Sequence, residues 1–100
     1  MSNRATLEVD FERDLRAILD GERELGYNSS RFRQMLDERG GVGTAHALLK
    51  TNPPDGTFTE LKERGRLDLT MEFYVVKPKY RELFEPQELE AAQWRLDNGG

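Results

Sequence analysis

One hundred residues, 34% of them charged, with a net charge of −4 and a mean hydropathy of −0.80, describe a chain of domain size with a densely charged surface. Cysteine is absent, which excludes disulfides and thiolate metal sites. No window approaches the ~18 apolar residues of a membrane span and the N-terminus has no apolar signal region, so a cytoplasmic protein without membrane contact is expected.

From Thr6 to Leu25, Phe11, Leu15, Ile18, Leu19 and Leu25 recur at the spacing of one helix face. Gly21 weakens that helix by about 1 kcal/mol relative to alanine, and Gly26 supplies its C-terminal stop. "YNSSRFRQMLDERGG" predicts a second helix, capped by Asn28 or one of the serines, with Phe32, Met35 and Leu36 inward and Gly40 at its end. Tyr27 stands where a hydrophobic staple would fold back onto the first turn. A third helix is predicted from about Val42 to Lys50, burying Val42, Ala45, Leu48 and Leu49, with Gly40 and Gly41 both supplying positive φ at the corner before it. The breakers in "TNPPDG" stop it. Thr57 and Glu60 have capping-box spacing, heading a short helix with Phe58 and Leu61 inward and Gly65 at its end.

"RLDLTMEFYVV" reads two ways. Leu67, Leu69, Met71, Phe73 and Val75 alternate as in a half-buried strand, while Leu69, Phe73 and Val76 make a helical stripe with Asp68 as its cap. A lone strand has no partner in this chain, so helix is the reading adopted, with an α+β domain carrying a strand at about 67–76 as the alternative. Pro78 ends the segment. "PKYRELF" allows a turn or two burying Tyr80, Leu83 and Phe84, and "EPQELEAAQWRL" is a helix with Glu85 as cap, Pro86 first, Glu88 near the third position and Leu89, Ala92 and Leu96 inward. The expected fold is a single all-α domain, 1–100, a small bundle of five to six short helices whose ends, 1–5 and 97–100, fray.

"GGVGTAHALLKT" opens like a phosphate-binding loop, but the lysine that would follow Gly43 is missing and a helix, not a buried strand, precedes it. The single histidine, His46, cannot pair with a second histidine or a cysteine to hold metal. The carboxylates fall at helix starts or between arginines, and none stands out as an acid–base pair. No catalytic, cofactor or metal residue is therefore assigned, and no small-molecule substrate.

Acidic residues concentrate in 1–26 and 67–100, leaving 27–66 mildly basic. Arg31 and Arg33 occupy the first turn of the second helix, where cations oppose the macrodipole. With Lys50, Lys62, Arg64 and Arg66 they form the candidate nucleic-acid-binding set, in a helix–corner–helix outline like that of DNA-binding motifs. The would-be reading helix offers only Thr44, His46 and Lys50, without the Arg, Asn or Gln of bidentate base contacts. Trp94 lies off the inward stripe of the last helix and, with Tyr27 and Phe32, is a candidate protein-interface residue.

The order "GYNSSRFRQML", "GGVGTAHALL", "FTEL", "GRLDLTMEFYVV", "LFEPQELEAAQWRL", from Gly26 to Leu96, resembles a recurrent segment of bacterial hypothetical proteins. That segment stands alone as small chains and as tails of larger proteins, some nuclease- or restriction-like. The resemblance carries no catalytic residues onto this chain; its attachment to nucleases implies a nucleic-acid or defence role by analogy. The functional expectation is a non-enzymatic interaction module contacting another protein or a second copy of itself, with a nucleic-acid-binding accessory domain of helix–turn–helix type, possible in a restriction or defence setting, as the alternative.

Overall fold

The computed structural model describes residues 3–51 and 56–98. Five α-helices, α1 (Arg4–Glu24), α2 (Ser30–Leu49), α3 (Gly56–Glu63), α4 (Met71–Val75) and α5 (Pro86–Asn98), are joined by two 3₁₀ turns, Leu67–Leu69 and Pro78–Leu83. There is no strand among the described residues, so the all-α bundle stands and the α+β alternative does not. None of these helices is long and apolar enough to cross a membrane.

α1 is the spine. Leu7, Phe11, Leu15, Ile18 and Leu19 are buried along one stripe, and burial of each such side chain contributes about 1.5–3 kcal/mol. Asn3 caps the helix by accepting the Ala5 amide at 2.8 Å. Of the stretches expected to fray, residues 3–5 thus hold a capped helix start and 97–98 belong to α5; the remainder lies outside the described residues. At the other end Gly26 (φ +88°) closes the helix, with the Tyr27 amide on the Glu22 carbonyl and the Gly26 amide on that of Arg23, both at 3.0 Å. Gly21 is not a mere weak point: the Leu69 side chain packs where its Cβ would be, 2.5 Å from that position.

α2 is two helical arms, 30–39 and 41–49, bent at Gly40 (φ +74°, ψ 177°). Both ends of α2 border one cleft, which a straight helix of this length, about 30 Å, could not do. The two corner glycines have different reasons, which corrects the shared role expected of them. Gly40 alone has positive φ. Gly41 is needed because α1 comes so near that a Cβ would lie 2.7 Å from the Glu12 Cα. The Gly41 amide donates to Glu12 Oε1 at 3.1 Å, placing a carboxylate at the start of the second arm. Arg16 then bridges Glu12 and Asp37 at 3.1 Å each, closing the α1–α2 contact.

The stretch from 67 to 76 is helical but broken. Thr70 alone is extended (φ −110°, ψ 150°), and its hydroxyl caps α4 by accepting the Phe73 amide at 3.3 Å. Asp68, expected to be the cap, instead accepts the Arg66 guanidinium. The break turns α4 so that Met71, Glu72 and Val75 face inward, while Phe73 and Val76 are only half-buried. α3 begins at Gly56, so Thr57 sits inside its first turn and not at its cap; residues 52–55, and the prolines expected to break the chain there, lie outside the described residues. Gly65 (φ +72°) ends α3 as Gly26 ends α1.

Opposite α2, the turn Pro78–Leu83 folds onto α1. Phe11 meets Tyr80 and Phe84 edge-on, at ring centroid distances of 5.1 and 5.3 Å. The buried Tyr80 hydroxyl donates to Asp14, and burial, reinforced by that carboxylate, raises the phenol pKa well above its ordinary value. One apolar cluster draws on every helix and both turns. Because the clash at Gly41 is with backbone, Gly41→Ala should lower stability by about 1–3 kcal/mol in urea unfolding, although alanine is the better helix former.

Candidate functional site

The principal cleft, of about 280 Å³, opens where the last turns of α1 and the first turn of α2 meet α3 and the Leu69–Glu72 segment. Its walls are mixed: apolar Ile18, Phe32, Leu48, Phe58, Leu61, Leu69 and Met71 alternate with polar side chains that include Asn28, Ser29, Thr57 and Thr70. Three charged side chains reach it from buried positions. Arg95 and Glu72, both with less than a tenth of the side chain exposed, form an ion pair at 2.9 Å. The same guanidinium donates to the carbonyls of Leu48 (3.2 Å) and Leu49 (3.5 Å), at the C-terminal end of α2, and to that of Thr51 just beyond it. Glu22 is buried at the end of α1 and accepts the Ser29 hydroxyl.

Comparison with protein-family models, curated proteins and solved structures finds no match.

Ser29 is bonded to a carboxylate, not to a histidine, and His46 does not line the cleft, so no nucleophile–base–orienter set is assembled there. Among the described residues no group of three or more His, Cys, Asp or Glu side chains could hold a metal ion.

Three of the candidate basic residues, Arg31, Arg33 and Arg64, lie about the cleft and the smaller hollow beside it, and the other three border neither. Arg31 is exposed at the rim of the cleft. Arg33 is exposed and lines a smaller hollow of about 180 Å³, together with Arg23 and Tyr27. Arg64 lies over the Tyr27 ring, 5.4 Å from its centroid. Arg66 is held by Asp68 at 3.1 and 3.2 Å, and this hydrogen bond lowers the Asp68 pKa. Lys62 is half-buried in α3, and Lys50 is exposed at the end of α2. The second arm of α2 bears on any groove-reading role: from Gly41 to Leu49 every residue is buried or half-buried, and Thr44 is wholly enclosed.

The candidate interface residues also separate. Phe32 is a wall of the cleft, Tyr27 is half-buried beside the smaller hollow, and Trp94, 55% exposed on α5, borders neither. Glu22, Glu72 and Arg95 are absent from the sequence-based candidates. Their signal was positional: Glu22 falls four residues after Ile18, and Arg95 three after Ala92, so each continues an apolar stripe with a charge.

His46 serves a different joint. Its Nδ1 is bonded to Glu88, and its ring meets Phe84 edge-on at 5.6 Å. Glu88 also accepts the Glu85 amide at 2.9 Å, the reciprocal half of the capping arrangement expected at the start of α5. Burial pushes the Glu88 pKa up, but the Glu85 amide and His46 outweigh it, and the net shift is downward.

Two outcomes follow. Arg95→Met should cost about 3–5 kcal/mol by leaving Glu72 buried without its cation, and Arg95→Met/Glu72→Leu should be appreciably more stable than that single variant in chemical unfolding. Because the folded pKa of Glu88 lies below its unfolded value, its contribution to stability is present above about pH 4.3 and lost as pH falls through the folded pKa. An NMR titration should find the Glu88 pKa below the ordinary range in the native chain and nearer to it in His46→Ala.

Proposed function

We propose that this chain is a non-enzymatic interaction module that seats an apolar side chain of a partner protein in the cleft beside Phe32. The observation that carries this reading is the cleft itself: apolar side chains from four helices set among polar ones, with Arg95 and Glu72 paired to each other and Glu22 hydrogen-bonded to Ser29. Concave, mostly apolar sites with a few placed polar groups are where proteins hold ligands. A volume of about 280 Å³ is small, suited to one or two side chains rather than a large cofactor. A cytoplasmic setting accords with the absence of cysteine.

The nucleic-acid-binding alternative has less support. Its reading helix would be the second arm of α2, which has no exposed residue before Lys50, and Arg66 is already neutralised by Asp68. An analogy with nuclease-attached segments remains its main argument, and it does not name a site.

Titration with N-acetyl-phenylalanine amide and N-acetyl-leucine amide, followed by amide NMR shifts, tests the reading. Shifts should gather at Ile18, Phe32, Leu48 and Leu69, and Phe32→Ala should weaken binding by about tenfold, equivalent to ~1.4 kcal/mol. Shifts centred on the Trp94 indole, or spread evenly over the surface, would show that the cleft is not the binding site.

A further inference from the structure

The proposed cleft adjoins a concentration of positive charge that is not paired with carboxylates among the described residues. Asn28 and Ser29 line both the cleft and the smaller hollow, so they form the ridge between the two. Arg31 stands on the cleft side of that ridge, and Arg33 and Arg23 on the other, with Arg64 over Tyr27 in the hollow's wall. Residues two apart on a helix point to opposite sides, which is why Arg31 and Arg33 straddle the ridge. Among the described residues no carboxylate pairs with any of these four arginines, whereas Arg4, Arg13, Arg16, Arg66 and Arg95 each have one.

The position makes these charges more conspicuous. Arg31 and Arg33 sit in the first turn of α2, where the macrodipole already disfavours a cation. Ser29 occupies the cap position but makes no capping bond, because its hydroxyl is turned to Glu22. The helix end and the guanidinium groups therefore add to one positive field, in a chain whose net charge is −4. Within the cleft Glu72 is paired with Arg95, and Glu22 accepts the Ser29 hydroxyl without being neutralised by it, so the excess of positive charge lies on the rim and ridge rather than in the cleft itself.

Resting on the reading of the cleft as a seat for a partner's side chain, we infer that the partner segment is an acidic peptide. An apolar anchor enters the cleft, and flanking Asp or Glu side chains lie across the Asn28–Ser29 ridge against Arg31 and Arg33. Charge complementarity favours this occupant over a neutral or basic segment. The half-buried apolar side chains favour a peptide over a phosphate backbone, which would satisfy the arginines and leave Phe32 and Leu48 uncovered.

Fluorescence anisotropy with three labelled short peptides tests this inference, each with one phenylalanine flanked by glutamate, glutamine or lysine, beside a labelled DNA duplex. At low salt the glutamate peptide should bind about tenfold more tightly than the glutamine peptide, and added salt should erase the difference by screening. Arg31→Glu/Arg33→Glu should bring the glutamate peptide to or below the glutamine peptide, while Arg81→Glu, on the Pro78–Leu83 turn, leaves the preference intact. Acidic residues are favoured in a first helical turn, so the double variant should keep a native circular dichroism spectrum and melting temperature. Equal binding of the glutamate and glutamine peptides would overturn the acidic partner but leave the cleft reading standing; no binding by any peptide would overturn both. Tighter binding of the duplex, lost in the double variant, would overturn the peptide in favour of nucleic acid.

Discussion

The Arg95 guanidinium holds together parts of the chain that no continuous helix connects. It comes from α5, donates to the Glu72 carboxylate on α4, and covers the carbonyls at the end of α2. Those carbonyls form the negative end of a helix, and a cation buried against them is favoured twice, by the dipole and by the hydrogen bonds. Burying two charges is costly, so the pair is not evidence of exceptional stability. Its effect is on specificity: α4 has only five residues and cannot choose its own orientation, and the ion pair selects one. The cleft inherits its walls from that choice, since Leu48, Met71, Glu72 and Arg95 all border it.

The second constraint is the close approach of α1 and α2 at Gly41. Bare backbone lets the Glu12 backbone come within the space of a side chain, and the Glu12 carboxylate then stands at the start of the second arm. Bent at Gly40, α2 brings its first turn and its last residues to the same opening. The bend thereby places Arg31 and Phe32 opposite Leu48 and Thr51. The same bend consumes the outer surface of the second arm, and so a corner that looks in outline like a DNA-reading motif works as a packing element.

Much of this architecture was legible in the chain. The α1 stripe, the stops at Gly26 and Gly65, the corner at Gly40 and the start of α5 at Glu85 and Pro86 are local signals, set by periodicity and by backbone geometry within a few residues. What was illegible depended on distant contacts. Asp68 is an exception, since it was as good a cap as Thr70 until Arg66, only two residues away, engaged it. Gly41 reads like its neighbour Gly40, and only the nearness of Glu12 gives it a separate role. Arg31 and Arg33 were visible as side chains that local structure did not favour, whereas Phe32 read as an inward residue, and Glu72 and Arg95 looked like ordinary surface charge because each has its partner on another helix.

The contrast between two kinds of arginine in this chain carries the functional argument. Arg95 is buried and fully employed, binding a carboxylate and carbonyls, and Arg16 bridges two carboxylates at the α1–α2 contact. Arg31 and Arg33 are exposed in a helical turn that disfavours them, and their removal would relieve the fold rather than weaken it. On the reading proposed above, a requirement outside the fold accounts for cations held at such a position. Since they flank the opening of the one apolar cleft described above, whose own charges are internally bonded, that requirement and the cleft's are met most simply by a single ligand that is apolar at its centre and acidic at its edges.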